Sequence, residues 1–161
     1  MEPPAAPRDP GRRRRAAVLA FLFLSLPLSG LRFAPVRGAS MEPALHDGQI
    51  LCFAPLAPGG LQRGEVVVFR SPLDPSLRYV KRVAGLPGDE LRFQDGFLRV
   101  NGRVVPWGAG GYPPGFRLAV RVPEGSFFAL GDHASVSYDS RSFGPVPLER
   151  IQGRVLGPLH D

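Results

Sequence analysis

Residues 77–85, LRYVKRVAG, contain Lys81, the single lysine of a chain that has 19 arginines. Alternation along a strand would place Tyr79, Lys81 and Val83 on one face, in apolar surroundings. An arginine cannot lose its proton in a protein, whereas a lysine amine among apolar groups can become neutral and act as a base. The stretch therefore predicts a strand that carries a catalytic base. The alternative is a solvated surface lysine.

The rest of the chain predicts an all-β fold. Its 20 glycines and 19 prolines interrupt the sequence too often for long helices, and short runs rich in valine, phenylalanine and leucine lie between them. Asp95-Gly96 and Asn101-Gly102 occur where hairpins need residues that tolerate positive φ. We expect coiled antiparallel sheets that form a barrel-like domain. The predicted strands are 49–53, 65–70, 78–84, 90–93, 97–100, 103–105, 117–122, 126–130 and 151–156.

Charge and motif content exclude several classes of function. Of the net charge of +6, residues 1–37 carry +5 and the remaining residues only +1, so a nucleic-acid-binding surface on the folded domain is not expected. Cys52 is the single cysteine, which excludes an intrachain disulfide, and its apolar neighbours indicate a core position. The sequence contains no metal-ligand cluster and no phosphate-binding glycine pattern, so no metal or other cofactor is expected.

An apolar run at 16–31, AAVLAFLFLSLPLSGL, follows the arginine block 12–15. As a helix it would be about 24 Å long. That is short for a membrane span, but flanking arginines such as Arg32 can reach the interface. We expect an uncleaved transmembrane anchor at 16–31, a disordered basic cytoplasmic tail at 1–15 and an extracytoplasmic β-domain at 32–161. The alternative is a cleaved signal peptide, although no convincing small-x-small site accompanies the run.

A catalytic base needs a nucleophile to activate, and a serine hydroxyl is a suitable one. Ser40 lies 41 residues before Lys81 and close behind the apolar run, so it would act near the outer membrane surface. A serine hydroxyl needs a base to accept its proton, and a neutral amine can do this without histidine. A Ser-His-Asp arrangement would use Asp132 and His133. Because adjacent residues point apart, Asp132 is badly placed to orient that histidine.

Three stretches, in order, resemble the conserved boxes of the type I signal peptidases. Residues 32–45, RFAPVRGASMEPAL, are similar to the serine box, in which a short strand ends at the serine turn. Residues 78–89, RYVKRVAGLPGD, are similar to the lysine box, and residues 131–144, GDHASVSYDSRSFG, to the box near the C-terminus. The resemblance implies a membrane-bound serine endopeptidase of β fold. Such an enzyme removes N-terminal signal peptides from exported preproteins after small-x-small sites.

The resemblance also implies roles for individual residues. Ser40 would be the nucleophile, with its backbone N–H as one oxyanion donor, and Lys81 would be the general base and then the general acid. Ser137 would hydrogen-bond the lysine and orient it. Asp139 and Arg141 would form an ion pair that holds Ser137 in place.

The chain departs from part of the family in two boxes. Gly38 stands where some members have a serine that supplies the second oxyanion donor, so this donor cannot be a side chain at 38. His133, Ala134 and Val136 stand where asparagine or arginine is commoner, which affects the hydrogen bonds behind the catalytic pair.

Substrate binding in the family uses an extended peptide that pairs with the strand before the serine. Shallow apolar pockets accept small residues one and three positions before the cut. By resemblance, the residues that would line them here are Val36, Met41, Leu45, Tyr79 and Val80.

The segment 105–116, VPWGAGGYPPGF, carries the aromatic residues Trp107, Tyr112 and Phe116. Amphipathic rings suit a membrane interface, so we expect this loop or its neighbours to contact lipid. The alternative is that the rings close the end of a sheet.

The expected partners of the protein are exported preproteins and membrane lipid, and the expected state is a monomer.

Two other classes of protein share part of this pattern. A self-cleaving serine-lysine protease of the repressor type would also use Ser40 and Lys81, but such proteins usually carry a DNA-binding segment and no anchor. A non-catalytic, membrane-tethered β-domain would keep the fold without needing Lys81. The preferred interpretation is a single-pass protein of the plasma membrane with its catalytic domain on the extracytoplasmic side.

Overall fold

The described part of the chain is built mainly from short strands. The computed structural model describes residues 30–56, 60–106, 112 and 115–158. The predicted tail at 1–15 lies outside the described residues, and so does the predicted anchor at 16–31 apart from its last two positions. Within the described ranges, no helix has both the length and the apolar composition that a membrane crossing requires.

The strands and helices follow one another with short connections. The strands are β1 Arg32–Pro35, β2 Ile50–Ala54, β3 Val66–Arg70, β4 Arg78–Gly85, β5 Glu90–Gln94, β6 Phe97–Val100, β7 Arg103–Val104, β8 Leu118–Arg121, β9 Ser126–Leu130, β10 Val146–Pro147 and β11 Ile151–Pro158. A short helix, α1, spans Ser140–Phe143, and a 3₁₀ turn spans Leu148–Arg150.

The strands form two antiparallel sheets. The larger sheet has the order β1-β2-β11-β3-β4-β9-β10, and the smaller has the order β7-β6-β5-β8. In a flat sheet β1 and β4 would lie about 19 Å apart, at about 4.8 Å per strand. Instead Ala34 of β1 and Val80 of β4 line the same cleft, which requires the large sheet to curl. This curled, half-barrel sheet confirms the expected all-β class.

The core is divided among three clusters, and β3 contributes to two of them. Val68 packs in the cluster that contains Met41 and Leu51, whereas Val67 and Phe69 point to the other face and pack in a second cluster. Because successive strand residues face opposite sides, β3 buries both faces, as the central strand of a curled sheet must. The third cluster joins the small sheet to β9 and contains Leu91, Phe93, Leu98, Val100, Val122, Phe128 and Leu130.

The predicted strands are confirmed, with small differences at their ends. Both predicted hairpin turns have positive φ: 54° at Asp95 and 79° at Gly96, 51° at Asn101 and 81° at Gly102. Strand β10 was not predicted, because two residues show no alternation. The strand β8 is one residue shorter at each end than the predicted 117–122.

We expect the core of the large sheet to depend on Phe69, which is fully buried and makes edge contacts with Tyr79 and Phe127. Phe69→Ala should lower the free energy of unfolding by about 3–5 kcal/mol, because it leaves a cavity that packed neighbours cannot fill. The matched change Phe97→Ala, on a ring that is 49% exposed, should cost less than about 1 kcal/mol. Chemical unfolding of both variants in detergent checks this, and equal losses would contradict the assignment of the core.

Candidate active site

The lysine amine lies at the centre of the large sheet. Strand β4 runs between β3 and β9, and Lys81 is paired with Val67 of β3. Only 3% of the lysine is exposed, so its amine is withdrawn from water. Its Nζ lies 2.5 Å from Oγ of Ser40. The two residues that the sequence analysis singled out are therefore in direct contact.

Ser40 is held by a tight turn that follows β1. The N–H of Leu45 donates to the carbonyl of Met41 at 3.0 Å, and both side chains are buried. Gly38 enters the turn with a φ of 80°, and its N–H donates to Oδ1 of Asp47 at 2.6 Å. The buried side chains and the fixed backbone together aim the serine hydroxyl at the lysine.

Burial lowers the pKa of Lys81 from its ordinary value of 10.5 to about 8. The cost of removing the charged amine from water is the largest cause. The negative charges of Asp139 and Asp132 act in the opposite direction, and the positive charge of Arg141 adds to the lowering. A substantial fraction of the amine is therefore neutral in mildly alkaline solution.

Asp139 is the central acceptor of the segment that faces the lysine. Its side chain is fully buried and accepts hydrogen bonds from Oγ of Ser137 at 2.7 Å and from the N–H of Gly131 at 2.9 Å. Nε and Nη2 of Arg141 both donate to the same carboxylate at 2.8 Å. Nη2 also donates to the carbonyl of Ala134 at 2.8 Å. The predicted Asp139–Arg141 ion pair is thus present, and it binds Ser137.

Ser137 and Ser40 come together at Gly131. A Cβ atom at position 131 would lie 2.2 Å from Oγ of Ser137 and 2.4 Å from the carbonyl oxygen of Ser40, so only glycine fits. The hydrogen bond expected between Ser137 and Lys81 is not formed among the described residues. The hydroxyl of Ser137 donates to Asp139 instead, since a buried carboxylate is the stronger acceptor.

Sequence reasoning missed an ion pair on the other face of β4. Arg82 donates to Asp132 through Nε at 2.7 Å and through Nη2 at 2.5 Å, and its Nη1 donates to the carbonyl of Gly64 at 2.6 Å. The pair ties the lysine strand to the segment that follows β9. Its only sequence signal is that Arg82 follows the lysine directly and Asp132 begins the third box.

The Ser-His-Asp alternative has no counterpart in this geometry. The carboxylate of Asp132 is engaged by Arg82, and Nδ1 of His133 has no hydrogen-bond partner within the described part of the chain. The backbone N–H of His133 donates to the carbonyl of Ser40 at 3.1 Å. The histidine therefore contributes its backbone to the serine turn.

The hydroxyl and the amine lie at one wall of a cleft of about 360 Å³. Four of the five residues expected to shape substrate pockets line it, namely Val36, Met41, Tyr79 and Val80. The fifth, Leu45, is buried in the core cluster with Met41 and does not line the cleft. Strand β1 forms one edge of the large sheet, so only one side of its backbone pairs with another strand of that sheet.

Two of the three aromatic residues of segment 105–116 lie in the protein core, where contact with lipid was expected. Tyr112 is buried and Phe116 is half-buried, and both pack in the core of the small sheet. The alternative interpretation, in which rings close the end of a sheet, fits these two residues. Trp107 lies outside the described residues.

A serine hydroxyl in contact with a buried amine beside an open cleft can perform acyl transfer, because a neutral amine can accept the hydroxyl proton. The fold and the site thus have the features of a serine hydrolase that needs no histidine. Among the described residues, no group of three His, Cys, Asp or Glu side chains is placed to hold a metal ion.

Comparison with known proteins identifies the family. Residues 13–159 match the family model described as "Signal peptidase, peptidase S26". A probable signal peptidase I-2 of Synechocystis is 33% identical, covering 91% of this chain and 70% of the relative. Signal peptidase I of Bacillus licheniformis is also 33% identical, covering 85% of this chain and 82% of the relative. The chain therefore belongs to the signal peptidase family, peptidase S26, and is a peptide-bond hydrolase of the signal peptidase I type.

A solved structure has the same fold. The crystal structure of a signal peptidase I from Enterococcus faecalis superposes with a TM-score of 0.53 at 28% identity, covering 61% of this chain and 98% of that chain. The likeness extends the family assignment from the sequence to the fold.

Lys81→Met should stabilise the protein in a pH-dependent way. Below about pH 8 the amine is protonated in both folded and unfolded states, so the full cost of burying its charge applies. Between about pH 8 and 10.5 the folded amine is neutral and this cost falls to zero. The variant should therefore gain on the order of 3 kcal/mol more at pH 7 than at pH 10.5. Chemical unfolding at the two pH values measures the difference, and an equal gain at both would contradict the lowered pKa.

Proposed function

We propose that this enzyme is a membrane-bound serine endopeptidase that removes N-terminal signal peptides from exported preproteins after small-x-small sites. Ser40 is the nucleophile and Lys81 the general base. The observation that carries this proposal is the distance of 2.5 Å between Nζ of Lys81 and Oγ of Ser40, with the lysine only 3% exposed. A lysine used for charge alone would lie in water, because burying it costs free energy.

The reaction proceeds through an acyl-enzyme. Neutral Lys81 takes the proton of Ser40 as its Oγ bonds to the scissile carbonyl carbon, and a tetrahedral oxyanion forms. The protonated lysine then gives this proton to the leaving amine, and the peptide bond breaks. In the second half a water molecule loses a proton to Lys81 and attacks the ester. The proton returns to Ser40 as the acyl group leaves as a carboxylic acid.

The backbone N–H of Ser40 is proposed as one donor to the oxyanion. The second donor cannot be a side chain at position 38, because this residue is a glycine. Its backbone N–H already donates to Asp47. We propose that Ser137, Asp139 and Arg141 act as a rigid support behind the amine, since the buried carboxylate joins the other two.

An extended peptide can bind along the open edge of β1 and enter the cleft beside Ser40. Val36, Met41, Tyr79 and Val80 then form the shallow apolar pockets that admit only small side chains. Leu45 supports this wall from the core by packing with Met41.

The placement of the enzyme at the membrane is part of the same proposal. We propose that residues 16–31 anchor the chain in the plasma membrane, with residues 1–15 in the cytoplasm and the domain 32–161 on the extracytoplasmic side. The arginine block 12–15 supports this orientation, because cytoplasmic flanks are enriched in positive charge. Lipid contact and a monomeric state complete the proposal.

Cleavage of a preprotein in detergent tests the catalytic pair. Ser40→Ala removes the nucleophile and Lys81→Arg keeps the charge but removes the base, so both should lower kcat by at least about a thousandfold. Arg103→Lys, an exposed change on β7, is the matched control and should leave kcat unchanged. Normal cleavage by Lys81→Arg would refute the role of the lysine. A wild-type chain that cleaves no preprotein would instead favour the non-catalytic domain, or the self-cleaving protease if the chain cleaves itself.

The pH dependence follows from the neutral amine. Because only the neutral form of Lys81 can take the serine proton, kcat/KM should rise with pH through an apparent pKa of about 8 and then level off. As Lys81 is the single lysine, a chain labelled with ¹³C-lysine gives one side-chain signal, and its titration should give the same pKa. A titration near pH 10.5, or a flat rate profile, would contradict the proposal.

A further inference from the structure

Tyr112 connects the small sheet to the segment behind the catalytic lysine. Its ring packs edge-on against Phe93, with centroids 5.1 Å apart, and stacks on Phe116 at 5.9 Å. The centre of the ring also lies 5.3 Å from the guanidinium carbon of Arg141. Tyr112 is 8% exposed, so the contact with Arg141 is shielded from water.

The hydroxyl of Tyr112 does not explain why a tyrosine occupies this position. It is buried and has no hydrogen-bond partner among the described residues, although a buried tyrosine hydroxyl usually finds one. Burial raises the pKa of Tyr112 to about 12, so the ring stays neutral at the working pH. The contact with Arg141 is therefore one between a cation and the face of an aromatic ring.

Arg141 is the point through which this contact reaches the catalytic pair. Its side chain is 11% exposed and its partner Asp139 is fully buried, so water has little access to the ion pair. Asp139 in turn holds Ser137 and the N–H of Gly131. Gly131 lies against the backbone of Ser40, where no room exists for even a Cβ atom. Contacts thus run without a gap from the ring of Tyr112 to the nucleophile.

We infer that Tyr112 is a positioning residue for the reaction, whose ring covers Arg141 and keeps water away from the Arg141–Asp139 pair behind Lys81. Removing the ring opens that side of the site to water. The buried amine then loses part of its desolvation, and the support that holds Gly131 against the serine turn loosens. This inference rests on the proposed function, because it concerns the same amine and the same hydroxyl.

Four groups govern the titration of Lys81 from the elements packed around it. Asp132 and Asp139 favour the charged amine, and Arg141 disfavours it. The ring of Tyr79, on β4 itself, lies 6.0 Å from Nζ. A substitution at Tyr112 leaves all four of these groups in the chain. A changed titration of the lysine in such a variant therefore reports the access of water, which is the quantity that the ring is inferred to control.

The experiment compares two substitutions of Tyr112 in the full-length chain in detergent. Tyr112→Phe keeps the ring face and removes a hydroxyl that has no partner, so its kcat and its lysine titration should match the wild type. Tyr112→Leu removes the ring face. It should lower kcat about tenfold at pH 7 with KM within about twofold of the wild type, because the neutral amine becomes scarcer while the cleft is unchanged. The loss should shrink towards pH 10.

The titration of the ¹³C-lysine signal gives a readout that does not depend on cleavage. In Tyr112→Leu the pKa of Lys81 should move up by about one unit from about 8, which matches the tenfold loss of neutral amine. Leu98→Ala, a cavity in the same core cluster, is the control for lost stability and should leave the pKa where it is.

Each other outcome has a definite meaning. A uniform loss of kcat at all pH values in Tyr112→Leu, with an unshifted lysine titration, would mean that the ring only packs in the core. This result would overturn the inference. An equal loss in Tyr112→Phe would transfer the role to the hydroxyl and overturn it as well. If the wild type failed to cleave preproteins while the titration still shifted in Tyr112→Leu, the proposed function would fail and the control of water by the ring would stand.

Discussion

The contact between a buried lysine amine and the hydroxyl of Ser40 constrains the rest of the structure. The middle of a sheet keeps this lysine dry, because β4 lies between two hydrogen-bonded neighbours and Val67 of β3 is paired with Lys81. The hydroxyl must come from outside this sheet centre. The curl of the large sheet brings the turn after β1 over the face of β4, where the two atoms meet. The curl of the large sheet therefore determines both the fold and the position of the two reacting groups.

Burying the amine is unfavourable, and its surroundings compensate in two ways. Apolar packing above and below β3 and β4 stabilises the strands that carry the lysine. Two ion pairs, Arg82–Asp132 and Arg141–Asp139, then fasten the segment after β9 to the lysine strand and to itself. In both pairs the guanidinium reaches backbone carbonyls as well, so few polar groups are left unpaired. The site is rigid because its charged neighbours are mutually satisfied.

Much of this site was visible in the sequence because its signals are local. The lone lysine, the serine turn and the hairpin pairs Asp95-Gly96 and Asn101-Gly102 each depend on residues close together in the chain. The partnership of Arg82 with Asp132 joins positions 50 residues apart, which no local pattern reveals. The inward position of Leu45 and the Ser137–Asp139 bond depend on side-chain packing, and β10 is too short for any periodicity. Tyr112 was misread for a related reason, since amphipathic rings fit a lipid interface and a protein core equally well.

The unpaired edge of β1 has a consequence for the solution behaviour of the enzyme. An open strand edge that can accept a peptide can equally accept the edge of a second copy, which is a route to aggregation. This strand has only four residues, begins with the exposed Arg32 and ends with Pro35, which has no amide hydrogen to donate. Two such edges would repel through their arginines and could form few bonds. The strand therefore offers too few hydrogen bonds for copies of the enzyme to polymerise along it.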